Sequence, residues 1–185
     1  LSQADGSSSQ YDRSLTLFSP EGKLHQVEYA MNAVEHYGKP LVGVQGRDCC
    51  VVAMRKGLLD DALVDSSSVT NVHRVTPRVL FVGSGVAGDV LHQVRRARLE
   101  ALEFKQQFGH HIPLHLLARK LADAAQLRTQ HAATRPLGIA SLLLSVEPSE
   151  EDAALYRVDP TGQSYRVWAT AVGRGAFAAV EWLEK

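Results

Sequence analysis

Tyr11-Asp12-Arg13-Ser14-Leu15-Thr16-Leu17-Phe18-Ser19-Pro20-Glu21-Gly22-Lys23-Leu24-His25-Gln26-Val27-Glu28-Tyr29-Ala30 packs three elements into one short stretch. Leu15 and Leu17 alternate. Ser19-Pro20-Glu21-Gly22 is a turn, with Pro at its second position and Gly at its fourth. From Gln26 the apolar spacing becomes helical: Val27, Ala30, Val34 and Tyr37 share a stripe that Glu28, Asn32, Glu35 and His36 avoid. Gly38-Lys39-Pro40 stops the helix. Local chemistry alone describes a turn feeding a small amphipathic helix.

Outward from this stretch, the chain has 185 residues, 45% of them hydrophobic, which suits one domain with a sizeable core. Twenty basic residues balance twenty acidic ones, so no overall field favours nucleic acid, a membrane surface or an acidic substrate. No apolar run reaches the length of a membrane span, and Leu1 to Gln10 is small and polar, unlike a signal peptide. These features predict a soluble, intracellular chain with residues 1–10 as a flexible tail. Cys49 and Cys50 are adjacent, too close for an ordinary bridge, and are expected to be reduced packing residues.

Leu41-Val42-Gly43-Val44 and Cys49 to Met54 read as a hairpin around Gln45-Gly46-Arg47-Asp48, the second strand lacking the alternation of a half-exposed one and so expected to be covered on both faces. A polar connection follows, then strands at Val72 to Val75 and Val79 to Val82, broken by Gly83-Ser84-Gly85. A helix is expected from Val86 to about Phe108, with Val90, Val94, Ala97, Ala101, Phe104 and Phe108 inward and Glu100 mostly off that stripe. Gly109 ends it. A second helix begins around Pro113, buries Leu117, Leu121, Ala124 and Ala125, and runs antiparallel until Arg135-Pro136. Gly138 to Val146, Ala154 to Val158 and Ser164 to Thr170 read as strands, the last two joined by Asp159-Pro160-Thr161-Gly162. Gly173-Arg174-Gly175 precedes an amphipathic segment, Ala176 to Lys185. This order fits two packed sheets with helices outside.

Three stretches suggest chemistry and are better explained by structure. His111 and His115 have helical spacing, with His110 beside them, but no Cys or acid completes a metal set. Gly83-Ser84-Gly85 lacks the lysine of a phosphate loop, so a tight turn is expected. Arg95, Arg96 and Arg98 sit beside Glu100 and Glu103, as on a solvated or subunit-facing surface. Neither a metal nor a cofactor is expected.

The Tyr-Asp-Arg start, the Phe-Ser-Pro-Glu-Gly turn and Gln-Val-Glu-Tyr-Ala together resemble the N-terminal signature of α-type subunits of the 20S proteasome. The resemblance recurs at Leu63-Val64-Asp65-Ser66-Ser67, Gly83-Ser84-Gly85, Gln93 to Arg98, Arg135-Pro136-Leu137-Gly138, Asp159-Pro160-Thr161-Gly162 and Ala169 to Gly173, and its details are most similar to the α1 type. It implies an α+β fold, the αββα four-layer sandwich of proteasome subunits and Ntn hydrolases, over residues 11–185. Family members continue past this point, so the last helix and strands of that fold are expected to be missing.

The same resemblance implies a structural and gating subunit of the outer ring of the core particle. Its implied partners are the other α subunits of a heteroheptameric ring, the adjacent β ring and regulatory particles or activators, in cytoplasm and nucleus. Tyr11, Asp12, Pro20 and Tyr29 match the positions that cluster to hold an opened gate, Tyr29 reaching a neighbour. β-type subunits cut peptides with an N-terminal threonine whose own amine is the base. Here the first strand starts near Lys39-Pro40-Leu41 with no threonine, and Met54-Arg55-Lys56 stands where the acid belongs, so a silent subunit is implied. The alternatives are an active β-type threonine protease and a free-standing binding protein of the same fold. In many α subunits a lysine just before the strand at Val72 lines a pocket for the C-terminal carboxylate of an activator tail. Asn71 stands there instead, so a weak pocket is expected.

Overall fold

The computed structural model describes residues 14–56, 63, 65, 68–131, 133–146 and 153–185. The expected tail, with Tyr11 and Asp12, lies outside the described residues. The first helix, α1, is His25–Tyr37, and it leads into the hairpin β1 (Leu41–Gln45) and β2 (Cys50–Met54). β3 (Val72–Arg74) and β4 (Val79–Gly85) precede two long helices, α2 (Ala87–Phe108) and α3 (Leu114–Gln130). β5 (Ile139–Val146), β6 (Ala153–Val158), β7 (Ser164–Arg166), β8 (Ala169–Val172) and α4 (Ala176–Leu183) complete the order.

The strands form two antiparallel sheets, β2-β1-β8 and β3-β4-β5-β6-β7. β5 is the central strand of the larger sheet, and its side chains alternate between two cores because successive residues face opposite sides. Leu143 and Ile139 join Phe81, Leu117 and Leu121 beneath the long helices. Leu142 and Leu144 join Leu41, Val82 and Leu155 between the sheets, where Val34 of α1 also packs. Helices, large sheet, small sheet and α4 therefore stack in four layers, the αββα arrangement.

α2 and α3 run antiparallel, as two cross-links of opposite progression demonstrate: His92 meets Arg128 at 2.9 Å, while Glu100 meets Lys120 at 2.7 Å. Glu100 lies inside the helix pair, 5% exposed, because Arg96 at 2.5 Å and Lys120 enclose its carboxylate. Gly109 closes α2 at φ 77°, the left-handed conformation that glycine adopts without strain.

Several expectations are corrected. Ser164 to Thr170 is not one strand: β7 pairs with β6 and β8 pairs with β1, so the chain changes sheets at Val167-Trp168. The crossing is pinned on both sides, Val167 N donating to Leu155 O at 2.9 Å and Gln45 N to Trp168 O at 2.7 Å. β2 is an edge strand with alternating burial rather than one covered on both faces, and Val51 is 62% exposed. Gly83-Ser84-Gly85 continues β4, paired through Gly85↔Ile139, instead of breaking it. α3 ends at Gln130, short of Arg135-Pro136. Tyr37 and Phe108 end their helices exposed, and Cys49 is exposed while Cys50 packs against the inter-sheet core.

Candidate functional site

The start of β1 is where a proteolytic nucleophile would stand in a β-type subunit, and four backbone segments meet there. Ser84 Oγ of β4 donates to Lys39 O at 2.7 Å. Arg174 N donates to Gly38 O at 3.2 Å, and Arg55 N to Pro40 O at 3.0 Å. The approach is close enough that a Cβ on Gly173, at φ 87°, would overlap Lys39 O and Ser84 Oγ. Only glycine satisfies both the conformation and the space. The backbone of Lys39 is thereby fixed between the two sheets.

Beside this node lies a cavity of about 170 Å³, bordered by Tyr37, Lys39, Thr70, Asn71 and His73 over a floor of β4 glycines and Leu91. Thr70 Oγ1 donates to Val72 O at 2.9 Å, so the one hydroxyl from threonine at this cavity is spent on a main-chain carbonyl. Burial, helped by the nearby Arg98 charge, pushes His73 below the usual imidazole range and favours its neutral form. The Lys39 ammonium and the Asn71 amide have no hydrogen-bond or ion-pair partner among the described residues.

The other side of α1 borders an open groove formed by Tyr29, Asn32, Glu35, His36, Tyr37 and Arg174. Arg174 Nη2 donates to His36 O at 2.7 Å, a cation placed at the negative end of the helix dipole. Tyr29 is 47% exposed and stacks on His25 at 6.2 Å. Pro20 is exposed on a turn closed by Gly22 N donating to Ser19 O at 2.8 Å, with Gly22 at φ 77°. Of the four gate positions, then, Pro20 and Tyr29 lie on described surface at the N-terminal side of α1, whereas Tyr11 and Asp12 fall outside the described residues.

Two residues escaped the sequence reading. Lys39 registers there only as part of a helix stop and of the start of the first strand, and no spacing rule brings position 39 beside position 71. Asp89, in the first turn of α2, is 5% exposed and takes a bidentate pair from Arg135 at 2.6 and 2.7 Å and the Gly138 N–H at 3.0 Å. It joins the Arg135-Pro136-Leu137-Gly138 stretch to the end of β4, where Val86 N also donates to Gly138 O at 3.0 Å. Burial pushes the Asp89 carboxyl up, but the Arg135 and Gly138 hydrogen bonds outweigh it and hold the group below the usual carboxylate range. Among the described residues no group of three or more His, Cys, Asp and Glu side chains could hold a metal ion, and no helix is long and apolar enough to cross a membrane.

Comparison with known proteins accords with this geometry. Residues 35–185 match the proteasome subunit family, and residues 11–33 match the N-terminal signature of its A-type members. The chain is 41% identical, over its whole length and 73% of the relative's, to the probable alpha type-1 proteasome subunit of Schizosaccharomyces pombe. It is 38% identical to the alpha type-6 proteasome subunit of Caenorhabditis elegans, over 97% of this chain and 72% of that one. It is 37% identical to the alpha proteasome subunit of Methanocaldococcus jannaschii, over 96% and 66%. The α signature sets the β-type alternative aside, and the chain belongs to the proteasome subunit family as one of its α-type, outer-ring members.

Proposed function

We propose that this subunit is catalytically silent and acts as a gate and docking platform for the particle it helps to build. Membership of the family makes it an intracellular protein that assembles with other proteasome subunits. Its immediate neighbours are α subunits of a heteroheptameric ring, its axial neighbours are β subunits, and regulatory particles engage its outer surface, in cytoplasm and nucleus. The observation that carries the silent reading is the start of β1: Lys39-Pro40-Leu41 offers no hydroxyl, and the Thr70 hydroxyl nearby is bound to Val72 O and belongs to an internal residue without a free amine. In this reading residues 1–10 cover the axial pore as a tail, and Tyr11, Asp12, Pro20 and a neighbour's Tyr29 cluster to hold the tail upright when the gate opens. The cavity at Asn71 receives the C-terminal tail of an activator.

The test uses assembled particles. Removing residues 1–10 raises basal peptide entry, whereas Asp12→Ala leaves assembly and basal entry intact and impairs activator-stimulated entry. Unchanged stimulated entry in Asp12→Ala particles removes the proposed cluster. For silence, the purified subunit is assayed with fluorogenic peptides, and turnover blocked by a threonine-directed inhibitor after removal of β subunits contradicts the reading.

A further inference from the structure

We propose that Lys39 supplies the positive charge of the cavity beside Asn71, making it a carboxylate site whose cation comes from the start of β1 rather than from the segment before β3. The inference rests on the reading of that cavity as a tail pocket, and it alters the expectation that Asn71 leaves the pocket weak. Three observations carry it. The Lys39 backbone is clamped by Ser84 and bordered by Gly173, so its side chain departs from a fixed root into the cavity wall. Its ammonium has no partner among the described residues, and no Asp or Glu among them lines the cavity. Lys39 and Asn71, neither with a side-chain partner among the described residues, therefore border one concave site together.

The rest of the lining defines the ligand. The Asn71 amide nitrogen and the Lys39 ammonium both donate, which matches the acceptor-only character of a carboxylate. His73, kept neutral by burial and Arg98, adds no competing charge. Met54, Val90 and Leu91 give the cavity, about 170 Å³ in volume, apolar walls beside the two donors. The occupant is a carboxylate attached to a short apolar group: the terminal residue of a chain, or an acidic side chain.

The experiment uses assembled particles and a short peptide with a photoreactive residue, cross-links to this chain being counted by mass spectrometry as peptide concentration rises. The peptide is supplied with a free C-terminus, as its amide, and as an amide ending in glutamate. With the free carboxylate, Lys39→Gln shifts half-saturation upward about ten- to a hundredfold, the value of a charge-assisted bond, while Lys39→Arg keeps most of the affinity. On the unaltered chain the plain amide binds as weakly as the free peptide does to Lys39→Gln, and added salt erodes only the strong mode. Tight binding of the glutamate amide sustains the Lys39 assignment and gives the carboxylate to a side chain. If amidation weakens binding but Lys39→Gln does not, the pocket reading stands and the Lys39 assignment is overturned. If no saturable cross-link reaches this chain while other subunits of the same particles take it, the pocket reading falls and the assignment with it.

Discussion

The two sheets are built from the same kind of strand but are covered differently. The five-stranded sheet has α2 and α3 on one face and the small sheet on the other, and Phe81, Leu142, Leu143 and Leu155 are 0% exposed. The three-stranded sheet turns Val44, Val51 and Ala169 outward in one row, where α4 is its only helical cover among the described residues, and Val44 and Val51 are 40% and 62% exposed. α4 itself buries no residue, and its Phe177 and Trp182 are 80% and 74% exposed. The large sheet is thus a finished core. The small one presents an apolar face of the kind that marks contact with further protein.

That contrast is open to attack by substitution, measured by denaturant unfolding of the subunit. The largest loss is expected at the finished core, where Phe81→Ala removes a ring enclosed on all sides and costs about 4 kcal/mol. A loss under about 1 kcal/mol would mean that the helix layer is loosely packed. Next comes Arg135→Ala, at about 3 kcal/mol, because it leaves the buried Asp89 carboxylate without its cation. Asp89→Asn costs less, since Arg135 is 64% exposed and stays solvated.

The Arg135 variant also has a pH signature. In the parent chain the Asp89 pKa is depressed, so its contribution is present above the unfolded carboxylate value near 4 and is lost as pH falls through the lower folded value. Without Arg135 the hydrogen bond and charge that lower it are lost, and burial leaves the Asp89 pKa above the parent's. The variant's deficit should therefore be widest at neutral pH, shrink as pH falls from the variant's higher pKa to the parent's lower one, and close below the latter. A deficit constant with pH would exclude this pair as its cause.

Gly173→Ala probes the junction between the sheets, and about 2 kcal/mol is expected from the forced left-handed backbone and the overlap with Lys39 O. The smallest effect belongs to the open face: Val51→Lys changes stability by less than about 0.5 kcal/mol but lowers self-association of the isolated subunit in light scattering. Unchanged self-association would show that the Val44 and Val51 row is not the adhesive surface.

The sequence made the helices and the large sheet legible because their signals are periodic and local. Val90, Val94, Ala97 and Ala101 recur at helical spacing, and Gly109 ends α2 as its chemistry requires. The sheet change at Val167-Trp168 was hidden, since Tyr165, Val167 and Ala169 keep one unbroken alternation while their strands pair with different partners. Glu100 was hidden in another way: a charged residue reads as surface until two cations from different turns enclose it. Asn71 drew attention through its place before β3, whereas Lys39 is contributed by the start of β1, and only the assembled sheets put both on one cavity.

The pairing of β1 with β8 also fixes an order of events in time. Leu41 and Val172 are partners although about 130 residues separate them, a long loop to close before the contact is rewarded. At about 5–20 residues per second, a ribosome needs about 6 to 25 s to pass from β2 to β8. Throughout that interval α1 and the first hairpin have no strand to complete their sheet, while the larger sheet assembles from segments between them. The clamp at Lys39 needs Gly173 and Arg174, so the cavity beside it is among the last features of the chain to acquire its shape.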